Sequence, residues 1–399
     1  MSDDTSELQA VLAAYDLGQL QASARDLRGT VNTSFFVDTL KDGRRNRYFL
    51  RRYKPTIQRD EIRFEHALIR HVAEGGQCPV ARVHATREGS TVVERGGAFY
   101  ALFDYLPGED RYTWVRPRCS PAELRAAGRL LAQFHSDVAT FRPPGHREEP
   151  RILRLLTIIT REWERACRRP GSDAYLRYAL EHGDEVRRRL AAVSSALRRS
   201  AGGLPTVINH SDYHPGNLKF EGARISGLVD FDWAKVDLRA FDVGLAIWYF
   251  CASWEGSADG RLRLGEVGAF LRGYQGRLWE PAAIPPLSAA EMAALPDLIH
   301  AGSLYILYWG LRDYLSKPVD PEEYLVYLRH SVNTTRWLGR PENRRRLAEM
   351  LRGLAGSARS AARTRVQQAG REPRARRQSA PAAGRKVTRR GQHARRREG

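Results

Sequence analysis

The chain has 399 residues, enough for two or three folding units at the usual ~100–200 residues each, and its 42% hydrophobic and 9% aromatic content marks most of it as globular. The net charge of +19 is uneven, because residues 357–399 hold 14 Lys/Arg against two Glu and leave the rest only modestly basic. Four scattered cysteines (Cys78, Cys119, Cys167, Cys251) with no CxxC pair exclude a zinc knuckle, a thioredoxin-like motif and a disulfide scaffold. The first residues are polar, unlike a signal peptide, and the most apolar run, Val243 to Trp254, falls well short of the ~20 residues of a membrane span. A soluble, cytoplasmic protein with reduced thiols and no membrane partner is expected.

From Asp16 to Pro107 the pattern is mainly that of strands. Phe35-Phe36-Val37 is a short apolar run, Asp42-Gly43 signals a hairpin turn, and Tyr48 to Tyr53 is the returning strand. Asp60 to Glu74 has helical spacing, with Ile62, Leu68, Ile69 and Val72 on roughly one face. A second hairpin, Thr91 to Glu94 and Phe99 to Tyr105, turns at Gly96-Gly97, and Leu106-Pro107-Gly108 closes the unit. Ser120-Pro121-Ala122-Glu123 is a capping box with proline at the first helical position, opening a helix to about His135. Arg151 to Arg168 and Ala174 to Arg199 form amphipathic helices. Thr206 to Asp230 interrupts them with one β-hairpin turning at Glu221-Gly222, and helices return after Asp242 to about Gly353. The fold class is α+β: a small β-rich lobe, then a larger helical lobe.

The informative stretch is Asn209-His210-Ser211-Asp212-Tyr213-His214-Pro215-Gly216-Asn217, followed by Gly227-Leu228-Val229-Asp230-Phe231-Asp232. Val207-Ile208 is a strand entering a Pro/Gly loop, Asn217 to Phe220 leaves it as a strand, and Ile225 to Asp230 returns antiparallel. Asp212 on the loop, and Asn217 and Asp230 at the hairpin ends, then converge. Hard oxygen donors at that density suit Mg²⁺, and a carboxylate left free of the metal can orient a hydroxyl and take its proton. A third His or Cys at zinc spacing is missing, so His210 and His214 are not expected as metal ligands; Tyr213, His214 and Pro215 are expected as loop scaffolding.

This H-x-D-x-x-x-x-N spacing, followed by apolar-Asp-Phe, resembles the motif of the aminoglycoside phosphotransferase and choline kinase superfamily. The resemblance implies a two-lobed, protein-kinase-like fold using ATP and Mg²⁺. It implies Asp212 as catalytic base, Asn217 and Asp230 as Mg²⁺ ligands, His210 as a brace of the loop, and Asp242 as the acid tying that loop to the large lobe. In the small lobe, Gly29, Thr30, Asn32, Thr33 and Ser34 lie in a stretch of small residues whose backbone N–H groups can face phosphate. Arg51 stands where the family has lysine, Glu65 aligns with the helix glutamate that pairs with it, and Phe103 and Tyr105 lie in the segment that would receive adenine. The implied organisation is a nucleotide lobe over 1–107, a helical lobe with catalytic loop and substrate pocket over 108–355, and a tail over 356–399. Tyr15-Asp16-Leu17-Gly18 and Gly29 to Phe35 look like the type II homoserine kinases; Arg52-Tyr53-Lys54-Pro55 and Ile62 to His66 look like the stress-response Ser/Thr protein kinases.

The resemblance implies a hydroxyl compound as the phosphoryl acceptor. Residues 232–340 hold 13 acids and 11 Lys/Arg, less acidic than a pocket for a polycationic aminoglycoside calls for. A homoserine-like small molecule is favoured, with Arg239, Arg312 and Asp313 as candidates for its two charges; a protein hydroxyl and an aminoglycoside- or choline-type acceptor are the alternatives. Tyr305, Tyr308, Trp309 and Arg312 repeat at helical spacing, as a core stripe or as a pocket wall for an apolar or quaternary-amine substrate. The tail has no Phe, Trp, Tyr, Leu or Ile, so it is expected to be disordered and to bind polyanions weakly and salt-dependently. A nucleic-acid-associated regulator acting through that tail is the non-enzyme alternative. Oligomeric state is left open.

Overall fold

The computed structural model describes residues 3–27, 31–168, 171, 173–277 and 284–354. Gly29, Thr30 and the tail 356–399, with the expectations attached to them, lie outside the described residues.

The Asp42-Gly43 turn does what its residues allow. Both have positive φ (51° and 75°), the pairing a tight hairpin turn needs, so β2 (Thr33–Lys41) and β3 (Arg44–Arg52) pair antiparallel in unbroken register. β1 (Gln19–Asp26), β4 (Val93–Arg95) and β5 (Ala98–Asp104) extend them into an antiparallel sheet of order β1-β2-β3-β5-β4. Alternation sends Phe35, Val37, Leu50, Tyr100 and Leu102 to one face, where Leu8, Val11 and Leu12 of α1 (Asp3–Leu12) close a separate small core with Tyr15 and Leu17. This helix has no counterpart in the sequence reading, because its apolar residues are few and its start is polar. The opposite face packs on α2 (Arg59–Gly75) through Ile62, Phe64, Leu68, Ile69 and Val72.

The helical part comprises α3 (Pro121–Asp137), α4 (Ile152–Ala166), α5 (Ala174–Ser200), α6 (Arg239–Cys251), α7 (Leu264–Arg277), α8 (Ala289–Ser316) and α9 (Pro321–Gly339), with a further helical stretch over 341–354. The Ser120 capping box is formed: its Oγ accepts from the Glu123 N–H at 3.3 Å, and the Glu123 carboxylate accepts from the Ser120 N–H at 2.7 Å. Every residue of α6 is buried, which makes it the central helix. It approaches α8 so closely at Gly244 that a Cβ there would sit 2.9 Å from the Leu298 backbone.

The catalytic segment is more than the single hairpin expected. β7 (Leu218–Glu221) and β8 (Arg224–Leu228) form that hairpin, while β6 (Thr206–Asn209) pairs antiparallel with β9 (Lys235–Leu238) around it. The outer pair clamps both ends of the segment, so residues 210–234 form one closed unit. Arg239, expected as a substrate partner, is instead buried in a two-bond pair with Glu291 (2.8 and 2.5 Å), with the Pro285 carbonyl also accepting. It serves the core, not the pocket. The four cysteines are free, and no described helix is long and apolar enough to cross a membrane.

Candidate active site

Asp212 lies at the mouth of the loop between β6 and β7. Beneath it, fully buried Asp242 accepts from the backbone N–H groups of His210 (2.8 Å) and Ser211 (2.9 Å), while His135 Nε2 donates to it at 3.0 Å. One carboxylate at the first turn of α6 thus satisfies two loop donors, and Ser211 is held in the left-handed region (φ 63°). His210 Nε2 lies 3.2 Å from the Val229 carbonyl, bridging the loop to the strand that delivers Asp230. His210 and Asp242 thus each join the loop to a neighbouring element.

The Asp212 carboxylate is surrounded by donors. Oδ1 accepts from the Tyr249 hydroxyl at 2.7 Å, and the Asn217 amide donates to its carbonyl (2.9 Å) and Oδ2 (3.3 Å). His214 Nε2 is 3.5 Å from Oδ2. The His214 Nδ1 accepts from the Gly216 N–H at 3.0 Å, which leaves the proton on Nε2, pointing at the carboxylate. Burial alone would raise the Asp212 carboxyl; His214 and Tyr249 outweigh it and hold the group below the usual carboxylate range. His214 is thus more than scaffolding, and Tyr249, 37 residues downstream on α6, was missed. No local motif contains Tyr249; its only sequence signal is a polar tip on an apolar helix.

Opposite Asp212, Arg51 gathers three carboxylates. Nη1 donates to Glu65 at 3.0 Å and to Asp232, and Nη2 donates to Asp230 at 3.3 Å. Arg147 adds a second cation 3.9 Å from Glu65. Burial, then the Asp232 carboxylate, push Glu65 up to about 7, against the pull of Arg51. Burial and Asp232 likewise raise Asp230. Asp232 itself is lowered, since Arg51, Arg147 and Asn32 overcome its burial. Asp232 had no role in the sequence reading although it lies two residues past Asp230. Arg52, by alternation, points to the other face, over the Tyr100 ring.

Asp212, His214, Asn217, Arg51, Glu65, Asp230 and Asp232 line one cavity of about 1310 Å³, together with Phe36, Phe49, Phe103 and Tyr105 of the small lobe and Trp233, Tyr305, Trp309 and Arg312 of the helical lobe. Asn32 and Ser34 face it, and Thr33 does not, because it sits on the opposite side of β2. Asn32 spends its amide on Asp232 and its Oδ1 on the Lys54 N–H (2.9 Å), so the structure uses it to join the lobes. Tyr308, Trp309 and Arg312 of the aromatic helix reach the cavity, while Tyr305 is almost wholly buried at its wall.

Among the described residues no group of three or more His, Cys, Asp or Glu is arranged as a metal site. The donor set nonetheless suits a hard dication. Of the three carboxylates around Arg51, Asp230 is 38% exposed, against 5% for Asp232 and 1% for Glu65, so it is the one offered to the cavity. It is held at φ 67°, next to Val229, whose N–H donates to the Asn217 carbonyl at 3.0 Å, and the three carboxylates around Arg51 outnumber the two guanidinium groups there.

Residues 24–283 match the model of the phosphotransferase enzyme family. A homoserine kinase of Xanthobacter autotrophicus is 31% identical over 333 residues, covering 81% of this chain and 92% of that protein. One of Rhizobium etli is 30% identical over 331 residues, with the same coverages. In fold, the chain is similar to a microcompartment-associated aminopropanol kinase (TM-score 0.61, 19% identity, 84% of this chain and 96% of that one). It is also similar to an ethanolamine kinase of Plasmodium vivax (TM-score 0.57, 13% identity, 86% and 90%).

Proposed function

The chain belongs to the phosphotransferase enzyme family and is an ATP-dependent small-molecule kinase acting on a hydroxyl; we propose that its acceptor is homoserine and that Asp212 is the base. The observation that carries the second part is the Asp212 carboxylate in the lining of the cavity, held below the usual carboxylate range by His214 and Tyr249. The 31% identity over most of both chains supports the first.

In this reading the γ-phosphate lies between Asp230 and Asp212, with the adenine end against Phe103 and Tyr105. The acceptor hydroxyl oxygen forms the new bond to phosphorus as the bond to the β–γ bridging oxygen breaks, releasing ADP. The hydroxyl proton passes to the Asp212 carboxylate, which Tyr249 on Oδ1 and Asn217 on Oδ2 hold in place. Asp242 keeps the loop still through the two backbone bonds, so Asp212 does not have to be ordered during the reaction. Asn217 and Asp230 would hold Mg²⁺, which when bound offsets phosphate charge. Arg51 links Glu65 to Asp230 and Asp232 and so sets the position of the small lobe against the reacting groups.

Two cations in the acceptor half suit homoserine's carboxylate. Lys54 lies 4.6 Å over the Trp233 ring and Arg312 lies 5.0 Å over Trp309; among the described residues neither forms an ion pair. The test is ADP release by the full chain with ATP and Mg²⁺ over a panel of homoserine, choline, ethanolamine, an aminoglycoside and a generic protein substrate. Homoserine is expected to give the highest kcat/KM. A different acceptor exceeding it tenfold would replace the assignment.

A further inference from the structure

Among the buried polar atoms in the wall of the same cavity that lack a hydrogen bond of good geometry are two of opposite kind: Glu149 Oε1, an acceptor, and Trp309 Nε1, a donor with only a weak interaction with the Tyr305 hydroxyl. Both flank Tyr305, whose hydroxyl donates to Glu149 Oε2 at 3.3 Å and whose ring lies 6.2 Å from that of Trp309.

Glu149 is not a wandering surface acid. Lys235 Nζ binds its Oε2, donates also to the Pro150 carbonyl at 3.3 Å, and lies 5.3 Å over the Tyr305 ring. The carboxylate is therefore anchored by one oxygen while the other has no donor. Burial raises the Glu149 carboxyl against the pull of Lys235, with Lys54 contributing a weaker pull from the small lobe. Leaving a buried carboxylate oxygen or indole N–H unsatisfied is costly, and such atoms in a folded protein call for an explanation. A ligand carrying both an ammonium and a carboxylate would satisfy both.

We propose that Glu149 is a specificity-determining residue that receives the ammonium of an amino-acid acceptor, with the Trp309 N–H on its carboxylate. This rests on the homoserine reading above, and names how both charges of that substrate are recognised. Lys235 and Tyr305 act through Glu149 as positioning residues.

The test compares three acceptors on the full-length enzyme. 4-Hydroxybutanoate keeps homoserine's hydroxyl and carboxylate without the ammonium; 3-aminopropan-1-ol keeps the hydroxyl and ammonium without the carboxylate. Glu149→Gln preserves the shape and a carbonyl for Lys235. It is expected to lower kcat/KM for homoserine and 3-aminopropan-1-ol on the order of 10²-fold, chiefly through KM, with a loss at least tenfold smaller for 4-hydroxybutanoate. Trp309→Phe should give the converse pattern, sparing 3-aminopropan-1-ol relative to the two carboxylates. KM for ATP and the melting temperature report whether either variant remains folded. Equal losses on all three acceptors with ATP binding retained would make Glu149 merely structural and overturn the proposal. If the wild type ignores homoserine but takes another ammonium-bearing alcohol, the homoserine assignment fails, and Glu149→Gln on that alcohol still decides. A wild type that prefers a neutral alcohol overturns the role of Glu149 outright.

Discussion

The Tyr249 hydroxyl donates a 2.7 Å hydrogen bond to Oδ1 of Asp212, across the junction of the central helix and the catalytic loop. It fixes one oxygen of the carboxylate while Asn217 donates to the other, and with His214 it holds the group below the usual carboxylate range. Asp212→Asn should reduce turnover by ~10²–10⁴-fold while KM for ATP changes little. Tyr249→Phe should cost about tenfold in kcat, because one neutral donor is lost and the base remains. Steady-state kinetics with the identified acceptor measures both, and near-wild-type turnover by Asp212→Asn would remove it as the base.

Arg51 is the shared cation of Glu65, Asp230 and Asp232. Arg51→Ala leaves buried carboxylates uncompensated, and breaking such a pair typically costs about 3–5 kcal/mol. A lowered melting temperature and a raised KM for ATP are expected together. Arg51→Lys should recover only part of each, because a point charge cannot fork among three acids. An unchanged ATP dependence in Arg51→Ala would show that Lys54 carries the phosphate contact instead.

Chelation gives a separate handle on Asp230 and Asn217. EDTA should abolish turnover, and Asp230→Ala should weaken ATP binding in the presence of Mg²⁺ toward the level seen without it. Calorimetric titration with the non-hydrolysable analogue checks this, and a full Mg²⁺ effect surviving in Asp230→Ala would place the metal elsewhere.

His300 of α8 is buried beside Thr335, its Nε2 3.2 Å from that hydroxyl. Burial, then Arg344 and Arg189, push its pKa down to about 3, below the ~6.5 of an unfolded chain. Below pH 6.5 the unfolded state therefore binds the proton and the folded state does not. The contribution of His300 to stability is complete above about pH 6.5 and is lost progressively as the pH falls toward 3, reaching on the order of 3 kcal/mol near pH 4. His300→Gln should flatten this acid limb in denaturant titrations between pH 7 and 4. An identical slope in both proteins would assign the acid sensitivity to other groups.

The charge of residues 357–399 makes a prediction independent of the kinase site. A chain ending at Gly356 should lose most salt-sensitive binding to DNA, measured by anisotropy between low and high salt, and keep its turnover. Loss of catalysis on truncation would implicate the tail in the site.

Much of the site lies in short-range spacing. His210, Asp212, Asn217 and Asp230 are delivered by one loop and one hairpin within 21 residues, and Asp242 by the next helix, so the pattern of residue types was enough to expect them together. Arg51 and Glu65 were legible for the same reason, as a strand and the helix after it. Strand alternation decided Thr33 only once β2 was shown to begin at it, with Asn32 and Ser34 facing the cavity. What the spacing could not contain is any contact made by packing distant elements. Tyr249 meets Asp212 because α6 runs under the catalytic loop, and β9 pairs with β6 only because residues 210–234 fold back between them. Arg239 and Arg312 look alike as cations in a helical stretch, yet one is locked to Glu291 in the core and the other reaches the cavity. On α8, Tyr305 and Trp309 share one helical face whether that face meets core or substrate. Glu149, 156 residues from Tyr305, becomes their neighbour by tertiary packing alone. Local pattern determined the chemistry of phosphoryl transfer; which side chains surround the acceptor was decided by how the helices pack, since helical periodicity reports that a face is buried and is silent on what buries it.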